Sequence, residues 1–271
     1  MKVSNIIVGK RSFLSLNLKI KLKNFDTISL NNFNKANFKK KYKNLRINIV
    51  INHFYPLNKV NNKNAKTFYN KSIKEISSFL NFLQDFNVNK IILSSSSAVY
   101  GRNIKDLHFN RSEYGKAKYK CEKIVRKFCK EKKCFYSICR IFNMYGFKDK
   151  SSVIYKIISA IKKKKNFKLL NNGNSRRDFI NVKDVTEIYA KLLHVNKNEI
   201  IDLGTGKTKK IKDIINILSP NYPRVSYIKG KIKEIPNSVA KRNIQSKRLK
   251  KKKFIELSDF LKKKIKIKKL L

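Results

Sequence analysis

The sequence predicts an α/β fold built on a doubly wound parallel sheet, with a smaller C-terminal lobe. Apolar strand-like segments alternate with amphipathic helical segments through the first half of the chain, which is typical of parallel strands joined by right-handed helical crossovers. Asn5–Val8 leads through a tight turn into a helical stretch that ends near Leu22, the unit with which such folds begin. With 271 residues and a hydrophobic content of 41%, the chain can bury a sizeable core.

In the first half, hydrophobic spacing and turn residues place the elements in order. The helix over Ala65–Phe86 has its apolar residues on one wide stripe, as a helix packed on a sheet does. A polar loop over His53–Asn64 follows the third strand, at the edge of the sheet where ligands bind in doubly wound folds. The predicted strands are Asn5–Val8, Asp26–Leu30, Ile47–Asn52, Lys90–Leu93 and Cys134–Ile141, and the later predicted helices are Asn34–Lys43, Ala65–Phe86 and Tyr114–Lys130.

Beyond Gly146 the pattern changes, so we predict a first domain over residues 1–146 and a second lobe over 147–271. Helical and strand-like segments are shorter here, and basic residues are dense near the C-terminus. The predicted elements are the helices Val153–Lys164, Val185–Leu193, Ile211–Leu218 and Ser258–Ile267 and the short strands Ile200–Leu203 and Val225–Ile228.

The formal net charge of +49 comes mainly from lysine. Only 11 of the 66 basic residues are arginine, and the lysines are spread through the chain among many asparagine and isoleucine residues. AT-rich codons produce this composition, whereas a dedicated nucleic-acid surface is more often local and uses arginine for bidentate contacts. We therefore predict no specific nucleic-acid partner.

Targeting and redox signals are weak. No apolar run reaches membrane-spanning length, and the first residues, MKVSNIIVGK, are too few and too quickly polar for a signal peptide. We expect a cytoplasmic protein without a membrane partner. The four cysteines lack a CxxC spacing, which favours reduced thiols over a zinc site, and we predict no metal. They are Cys121, Cys129, Cys134 and Cys139.

The first candidate binding site is the turn between the first strand and the first helix. A dinucleotide pyrophosphate binds at a helix N-terminus after such a turn, which needs small residues at three places. Gly9, Ser12 and Ser15 occupy those places, so one glycine remains. The acidic residue that often holds the ribose of NAD after the second strand is absent from residues 29–32, Ser-Leu-Asn-Asn, which leaves NAD and NADP both open.

The second candidate site joins a serine-rich strand end to a helix start. A buried strand runs into Ser94–Ser97, and the next helix opens with Tyr114 and Lys118. Four residues are about one helical turn, so the phenol and the ammonium project from one face. A hydroxyl facing a tyrosine and a lysine is an arrangement that can move protons. The alternative is an ordinary surface helix, where tyrosine and lysine at this spacing are common.

Six motifs occur in the order of a known family. GKRSFLS resembles a GxxGFxG turn, SSSSAVYG an SSSxxVYG strand end, and YGKAK a YxxxK pair; RIFNMYG, GNSRRDFINVKDV and DLGTGK resemble the strand end, the arginine-containing signature and the glycine turn that follow. On these residues the chain resembles the extended short-chain dehydrogenase/reductases, in particular the NAD-dependent epimerase/dehydratase group that acts on nucleotide sugars. The resemblance covers nearly the whole length.

This resemblance implies a Rossmann-type dinucleotide-binding domain over residues 1–146 and a mainly substrate-binding lobe over 147–271, with residues 180–205 returning to the first sheet. It implies NAD or NADP as cofactor and a nucleotide sugar as substrate. It also implies a homodimer, in which the helices Ala65–Phe86 and Tyr114–Lys130 pair with their symmetry mates.

Site residues are carried over by position. Ser96 is the implied catalytic hydroxyl, Tyr114 the acid/base, and Lys118 the cation that lowers the pKa of Tyr114 and holds the nicotinamide ribose. The implied cofactor-binding residues are Gly9, Ser12, Phe13, Leu14, Asn70, Tyr114 and Lys118. The implied substrate-binding residues are Ser97, Asn143 and Arg177; the alternative for Arg177 is a salt bridge with Asp178.

Two departures narrow the implied reaction. The 4,6-dehydratases of the family have an Asp-Glu pair where this chain has Ser97 and Ala98, and the fucose-synthase type has a cysteine in place of Ala98. Dehydration and 3,5-epimerisation are therefore disfavoured. Epimerisation or keto reduction at C4 by hydride transfer remains, in the making of a surface-polysaccharide precursor. The alternative is a catalytically weak or inactive relative that binds a polyanionic partner.

Overall fold

The computed structural model describes residues 3–22, 24–54, 64–101, 112–220, 225–228, 235–241 and 253–268. Most of the predicted loop over His53–Asn64 lies outside these residues. The chain forms two compact units, Met1–Arg140 with Thr186–Ile201, and Ile141–Val185 with Asp202–Leu271. The assignment of the second part of the chain to substrate binding stays a prediction.

The elements are numbered in chain order. Strands β1 to β12 are Val3–Val8, Phe25–Ile28, Arg46–Ile51, Asn87–Ser96, Phe135–Ile141, Asn143–Tyr145, Phe167–Leu170, Arg176–Asn181, Glu199–Leu203, Thr208–Lys210, Val225–Ile228 and Asn237–Ser238. Helices α1 to α8 are Phe13–Lys21, Lys35–Tyr42, Ala65–Phe82, Glu113–Glu131, Val153–Lys162, Val182–Leu192, Ile211–Leu218 and Leu257–Lys268. Helix α3 ends four residues earlier than predicted, because the chain tightens into a single 3₁₀ turn over Leu83–Asp85 before β4.

The main sheet has the order β2-β1-β3-β4-β5-β9. β1 pairs in parallel with β2 on one side and with β3 on the other, and β3 pairs in parallel with β4. This confirms the predicted doubly wound parallel sheet. The strand order reverses direction between β1 and β3, and in open α/β sheets ligands bind in the crevice outside the strand ends at such a point. On one side of this point lie β1 and then β2, so β2 is an edge strand of the sheet formed by the described residues.

A core cluster of aliphatic and aromatic side chains covers one face of the main sheet in the first unit. Ile6, Ile49 and Ile91, on three neighbouring strands, are fully buried. On the opposite face, Ile7, Val50 and Ile92 are also fully buried. The apolar stripe predicted on α3 packs into this core through Ile76, Phe79 and their neighbours. Such near-continuous burial is expected of parallel strands covered on both faces, and it places the strand ends rigidly.

The second unit has its own smaller core and its own sheet, in the order β10-β8-β12 with β6 beside β8. Its centre is the fully buried carboxylate of Asp178, which accepts from the amides of Thr205, Gly206 and Ala240. A Cβ on Gly204 would lie 2.5 Å from Asp178 Oδ2, so a glycine is required at this close approach. No helix in the described part of the chain is both long enough and apolar enough to cross a membrane.

Candidate active site

Strand β4 delivers Ser96 to the edge of the main sheet. Ser96 ends the strand and begins a short 3₁₀ turn over Ser97–Tyr100, where its hydroxyl accepts a hydrogen bond from the amide of Ala98 at 3.2 Å. The turn closes at Gly101, whose φ of 65° lies in the left-handed region that glycine tolerates. The cap therefore fixes the orientation of the Ser96 hydroxyl.

Helix α4 delivers Tyr114 and Lys118. Its first turn is capped by Ser112, whose hydroxyl accepts from the amide of Gly115 at 3.1 Å. The Ser96 hydroxyl interacts with the phenol of Tyr114 and favours its ionised form, since it lowers the pKa of Tyr114. The Nζ atom of Lys118 lies 5.8 Å from the centre of the Tyr114 ring. The three residues predicted to be catalytic are thus brought together from two elements of the first unit.

Lys118 is held in a buried position. Its Nζ donates to the carbonyl oxygen of Ser94 at 3.0 Å and lies 4.1 Å from the centre of the Phe54 ring, a cation–π contact. The residue is 6% exposed. Burial lowers the pKa of Lys118 to about 8, against smaller opposing effects of Cys121 and Glu122. The ammonium is therefore a cation that loses its proton unusually easily.

The expected lowering of the Tyr114 pKa by Lys118 is not seen. Burial raises the pKa of Tyr114 to about 12, and the interaction with Ser96 opposes this rise in part. A buried phenolate loses hydration, and that loss outweighs its attraction to a lysine whose charge is about 6 Å from the ring centre. In this structure Tyr114 is therefore poised as a proton donor.

Two aromatic side chains, Phe54 and Tyr69, pack around the Tyr114 ring. The sequence motifs predicted neither of them. The Phe54 ring stacks on the Tyr69 ring at 5.5 Å between centres, and both rings lie within 5.7 Å of the Tyr114 ring. Phe54 follows β3 and Tyr69 lies on α3, so their proximity to Tyr114 follows from the strand order. An apolar wall of this kind keeps water from a proton-transfer site.

The predicted phosphate turn is formed at the end of β1. Gly9 has a φ of 102°, and a Cβ there would lie 2.8 Å from the amide nitrogen of His53. The Ser12 hydroxyl caps α1 by accepting from the amide of Ser15 at 3.0 Å. Among the described residues, no group accepts from the amides of Phe13 and Leu14. Two unpaired amides at a helix N-terminus fit the pyrophosphate of a dinucleotide.

A largely buried chain of polar side chains links this turn to strand β4, which ends at Ser96. The Ser12 hydroxyl donates to Ser15 Oγ at 2.7 Å, and Asn52 Nδ2 donates to the same oxygen at 2.9 Å. The Ser94 hydroxyl donates to Asn52 Oδ1 and lies 2.8 Å from the hydroxyl of Tyr189. The chain crosses the ends of β1, β3 and β4, so the turn and the strand that carries Ser96 are coupled.

A second buried cluster lies beneath Ser96. Glu122, one turn after Lys118, forms a bidentate ion pair with Arg140 at 2.7 and 3.0 Å and accepts from the Ser95 hydroxyl at 2.5 Å. The Arg140 guanidinium lies 4.8 Å from the centre of the Tyr100 ring. Glu122 is 1% exposed. The pair therefore fixes β4, β5 and α4 relative to one another, and motif spacing alone did not single it out.

The remaining predicted residues are Asn70, Ser97, Asn143 and Arg177. Asn70 is on the exposed face of α3, where it lines a cavity beside the end of β2. In the second unit, Asn143 Nδ2 donates to the carbonyl oxygen of Asp178, and Arg177 donates to the carbonyls of Arg176 and Ile235. Asn143 and Arg177 thus lie on the neighbouring strands β6 and β8. Ser97 is half-buried in the turn after Ser96.

Comparison with known proteins identifies the fold around this site. The profile of the NAD dependent epimerase/dehydratase family matches residues 6–204. This match spans most of the chain and includes Gly9, Ser96, Tyr114 and Lys118. The chain belongs to the NAD dependent epimerase/dehydratase family. The resemblance inferred from the six motifs is therefore confirmed.

Two curated relatives are each less than 30% identical to this chain. A putative UDP-glucose 4-epimerase of Methanocaldococcus jannaschii is 28% identical over 230 residues, which cover 80% of this chain and 72% of that protein. A GDP-6-deoxy-D-talose 4-dehydrogenase of Aggregatibacter actinomycetemcomitans is 29% identical over 178 residues, 61% of this chain and 59% of that protein. The matched segments thus span 72% and 59% of the lengths of these two relatives.

A solved structure supports the fold over the full length. The UDP-glucuronic acid 4-epimerase of Bacillus cereus, in complex with UDP-glucuronic acid and NAD, superposes with a TM-score of 0.84 at 19% identity, covering 99% of this chain and all of that one.

The described residues include no group of three or more His, Cys, Asp or Glu that could hold a metal ion, and the four cysteines are buried free thiols.

Proposed function

We propose that this protein is an NAD(P)-dependent enzyme that epimerises C4 of a nucleotide sugar or reduces a keto group there. The observation that carries the proposal is the meeting of Ser96, at the end of β4, with Tyr114 and Lys118 of α4, where the Lys118 Nζ atom lies 5.8 Å from the centre of the Tyr114 ring. The two relatives are named as a 4-epimerase and a 4-dehydrogenase, and both names describe chemistry at C4. Membership of the family supports the same chemistry.

In this mechanism Tyr114 exchanges a proton with the sugar oxygen at C4. The Ser96 hydroxyl is oriented by the amide of Ala98 and lowers the pKa of Tyr114, so it stabilises negative charge that develops on the phenol oxygen. The Lys118 ammonium contributes a second, longer-range stabilisation from a buried position. Phe54 and Tyr69 exclude water from the phenol.

The residues around the turn fit a dinucleotide cofactor. The amides of Phe13 and Leu14 would hold its pyrophosphate, and the Lys118 ammonium would hold its nicotinamide ribose. When bound, the nicotinamide ring supplies the hydride acceptor and donor for C4. The chain's own part is to position the sugar and to move the matching proton through Tyr114.

A panel of nucleotide sugars tests the proposal. The protein is incubated with each sugar and with each of the four nicotinamide cofactors, while absorbance and product identity are followed. We expect one class of nucleotide sugar to change only at C4, by net epimerisation or by net oxidation of a reduced cofactor. Failure to bind any nicotinamide cofactor, together with salt-sensitive polyanion binding that Tyr114→Phe leaves unchanged, would favour the alternative of a non-catalytic binding module.

The proposal includes a cytoplasmic location and a role in making a surface-polysaccharide precursor. The proposal also includes the homodimer, and the charge on the exposed surface of α4 affects how such a dimer would respond to salt. The exposed positions of α4 are all charged, six basic and two acidic, so a four-helix interface through α3 and α4 would bring like charges together. Such a dimer should strengthen as salt is added, and sedimentation at low and high salt measures this.

A further inference from the structure

Helix α4 ends in a turn that places two cysteines side by side. The amide of Cys134 donates to the carbonyl oxygen of Cys129 at 3.0 Å, and the amide of Lys133 donates to that of Lys130 at 3.3 Å. Lys133 has a φ of 52°, in the left-handed region. Two such bonds around a left-handed residue make a Schellman motif, in which the side chains of the two outer residues commonly contact each other. Here the two outer residues are Cys129 and Cys134.

The pair is buried but lies close to the surface. Cys129 is 1% exposed and Cys134 is 5% exposed. The Cys129 Sγ atom lies 3.8 Å from the carbonyl oxygen of Phe135, so this thiol reaches the start of β5. Lys130 and Lys133, which lie between the two cysteines in the chain, are exposed. Because helix ends open more readily than helix centres, a small solute can reach the thiols from this end.

The two thiols differ in their hold on the proton. Interaction with the Cys134 side chain raises the pKa of Cys129, and burial adds to the rise. The same interaction lowers the pKa of Cys134 against the opposing effect of burial, and the charge of Lys132 lowers it further. Cys134 is therefore the nucleophilic member of the pair, because the thiolate is the reactive form of cysteine. Cys129 keeps a proton beside it.

The other two cysteines lack this arrangement. Burial raises the pKa of Cys121 to about 11 and that of Cys139 to about 12. Both side chains are buried, Cys121 within α4 and Cys139 within β5. They are therefore inert thiols of similar burial, and they serve as internal controls for the pair.

We propose that Cys129 and Cys134 form a redox-active dithiol that a small peroxide converts to a disulfide. The Cys134 thiolate attacks one peroxide oxygen and the O–O bond breaks, so that Cys134 becomes a sulfenic acid and the released hydroxide takes up a proton to give water. The Cys129 sulfur then attacks the sulfenic sulfur, and its proton leaves with the displaced hydroxide as a second water. Two thiols are thus oxidised by two electrons while one hydrogen peroxide is reduced to two waters.

This inference goes beyond the proposed function. Cys129 lies eleven residues after Lys118 on the same helix, which is about 16 Å along the helix axis. The pair therefore touches neither Tyr114 nor Lys118, and its oxidation is measured without turnover. The disulfide would tie the last turn of α4 to the start of β5.

The test treats the full chain with hydrogen peroxide, then unfolds it, alkylates the remaining thiols and measures the mass. We expect two of the four thiols to be lost, with a disulfide that joins Cys129 to Cys134 and that dithiothreitol reverses. The pair should oxidise about tenfold faster than Cys121 or Cys139, or more. Cys139→Ala should still lose two thiols, and it leaves Cys134 as the one cysteine of its tryptic peptide, which makes the link unambiguous.

Removing one partner separates the two chemical steps. Cys129→Ala should stop at the sulfenic acid of Cys134, which dimedone captures, whereas Cys134→Ala should give neither a disulfide nor a dimedone adduct at Cys129. Three results on the unmodified protein would overturn the inference. They are four thiols retained, thiols lost equally from all four cysteines, and disulfides found only between two chains on a non-reducing gel.

Discussion

The side chain of Asn52 joins Ser15, at the start of α1, to Ser94 of strand β4. Its Nδ2 donates to the Ser15 hydroxyl at 2.9 Å, and its Oδ1 accepts from Ser94. Ser15 occupies the third small-residue position of the turn, where the family motif has glycine. The serine is 1% exposed, so its hydroxyl needs the partners that Ser12 and Asn52 supply. The departure from the motif is thus accommodated by buried hydrogen bonds.

Restoring the glycine should therefore destabilise the protein. Ser15→Gly leaves Asn52 Nδ2 without its acceptor, and we expect a loss of about 1–3 kcal/mol in the free energy of unfolding. Urea unfolding measures this loss. Lys19→Gly, at an exposed position of the same helix, is the control for the lower helix propensity of glycine. An equal loss in the two variants would show that the hydrogen bond to Asn52 contributes nothing.

Tyr114→Phe should remove turnover and leave the fold intact. The variant keeps the ring that packs against Phe54 and Tyr69 but cannot exchange a proton, and we expect kcat to fall by about 10²–10⁴-fold. Steady-state kinetics and cofactor titration measure the two effects separately. Tyr119→Phe, five residues further along α4, should retain activity. A Tyr114→Phe enzyme with normal kcat would exclude Tyr114 as the acid/base.

Because of Lys118, the free energy of unfolding should change with pH in the alkaline range. Below about pH 8 the lysine is charged in the folded and unfolded chains alike, so the full penalty of burying the cation is present. Between about pH 8 and 10.5 the unfolded chain binds more protons than the folded chain, so the contribution of Lys118 to stability rises, by on the order of 3 kcal/mol. The free energy of unfolding, measured against Lys118→Met across this range, should show the rise. A constant difference between the two proteins would contradict it.

The buried ion pair beneath Ser96 should be sensitive to loss of one partner. Arg140→Met leaves the Glu122 carboxylate buried and unpaired, and we expect a loss of about 3–5 kcal/mol in the free energy of unfolding. Adding Glu122→Leu should recover much of this loss, because an apolar pair needs no hydration. The control is Glu131→Gln, which removes the exposed partner of Lys127 at 3.8 Å and should change stability by about 0–1 kcal/mol. Urea unfolding compares all three.

Much of the architecture could be predicted because it is encoded locally. The alternation of apolar and amphipathic segments located the parallel sheet, and the spacing of Tyr114 and Lys118 put both on one face of α4. Helix ends were predicted less well. α3 stops at Phe82, because the 3₁₀ turn that follows depends on how the chain enters β4, and the predicted stripe continued through it.

The environment of the site could not be predicted in the same way. Phe54, Tyr69 and Asn52 carry no motif, and each acts through a residue far away in the chain. Asn52 and Ser15 are 37 positions apart, and Ser94 and Tyr189 are 95 apart. The prediction that Lys118 lowers the pKa of Tyr114 was also wrong. Burial raises this pKa, and burial depends on neighbours that the motif does not include.

The sequence by itself determined most of the secondary elements and the doubly wound class, and it singled out Ser96, Tyr114 and Lys118 as candidate catalytic residues. These follow from short-range periodicity and from motifs that occur in order. Only the tertiary structure decided which strand ends meet, and hence the linkage from Ser15 through Asn52 to Ser94, the burial that sets the pKa of Lys118, and the cavity beside the end of β2. Strand order and burial are properties of the packed chain, since they depend on contacts between segments that local spacing does not specify.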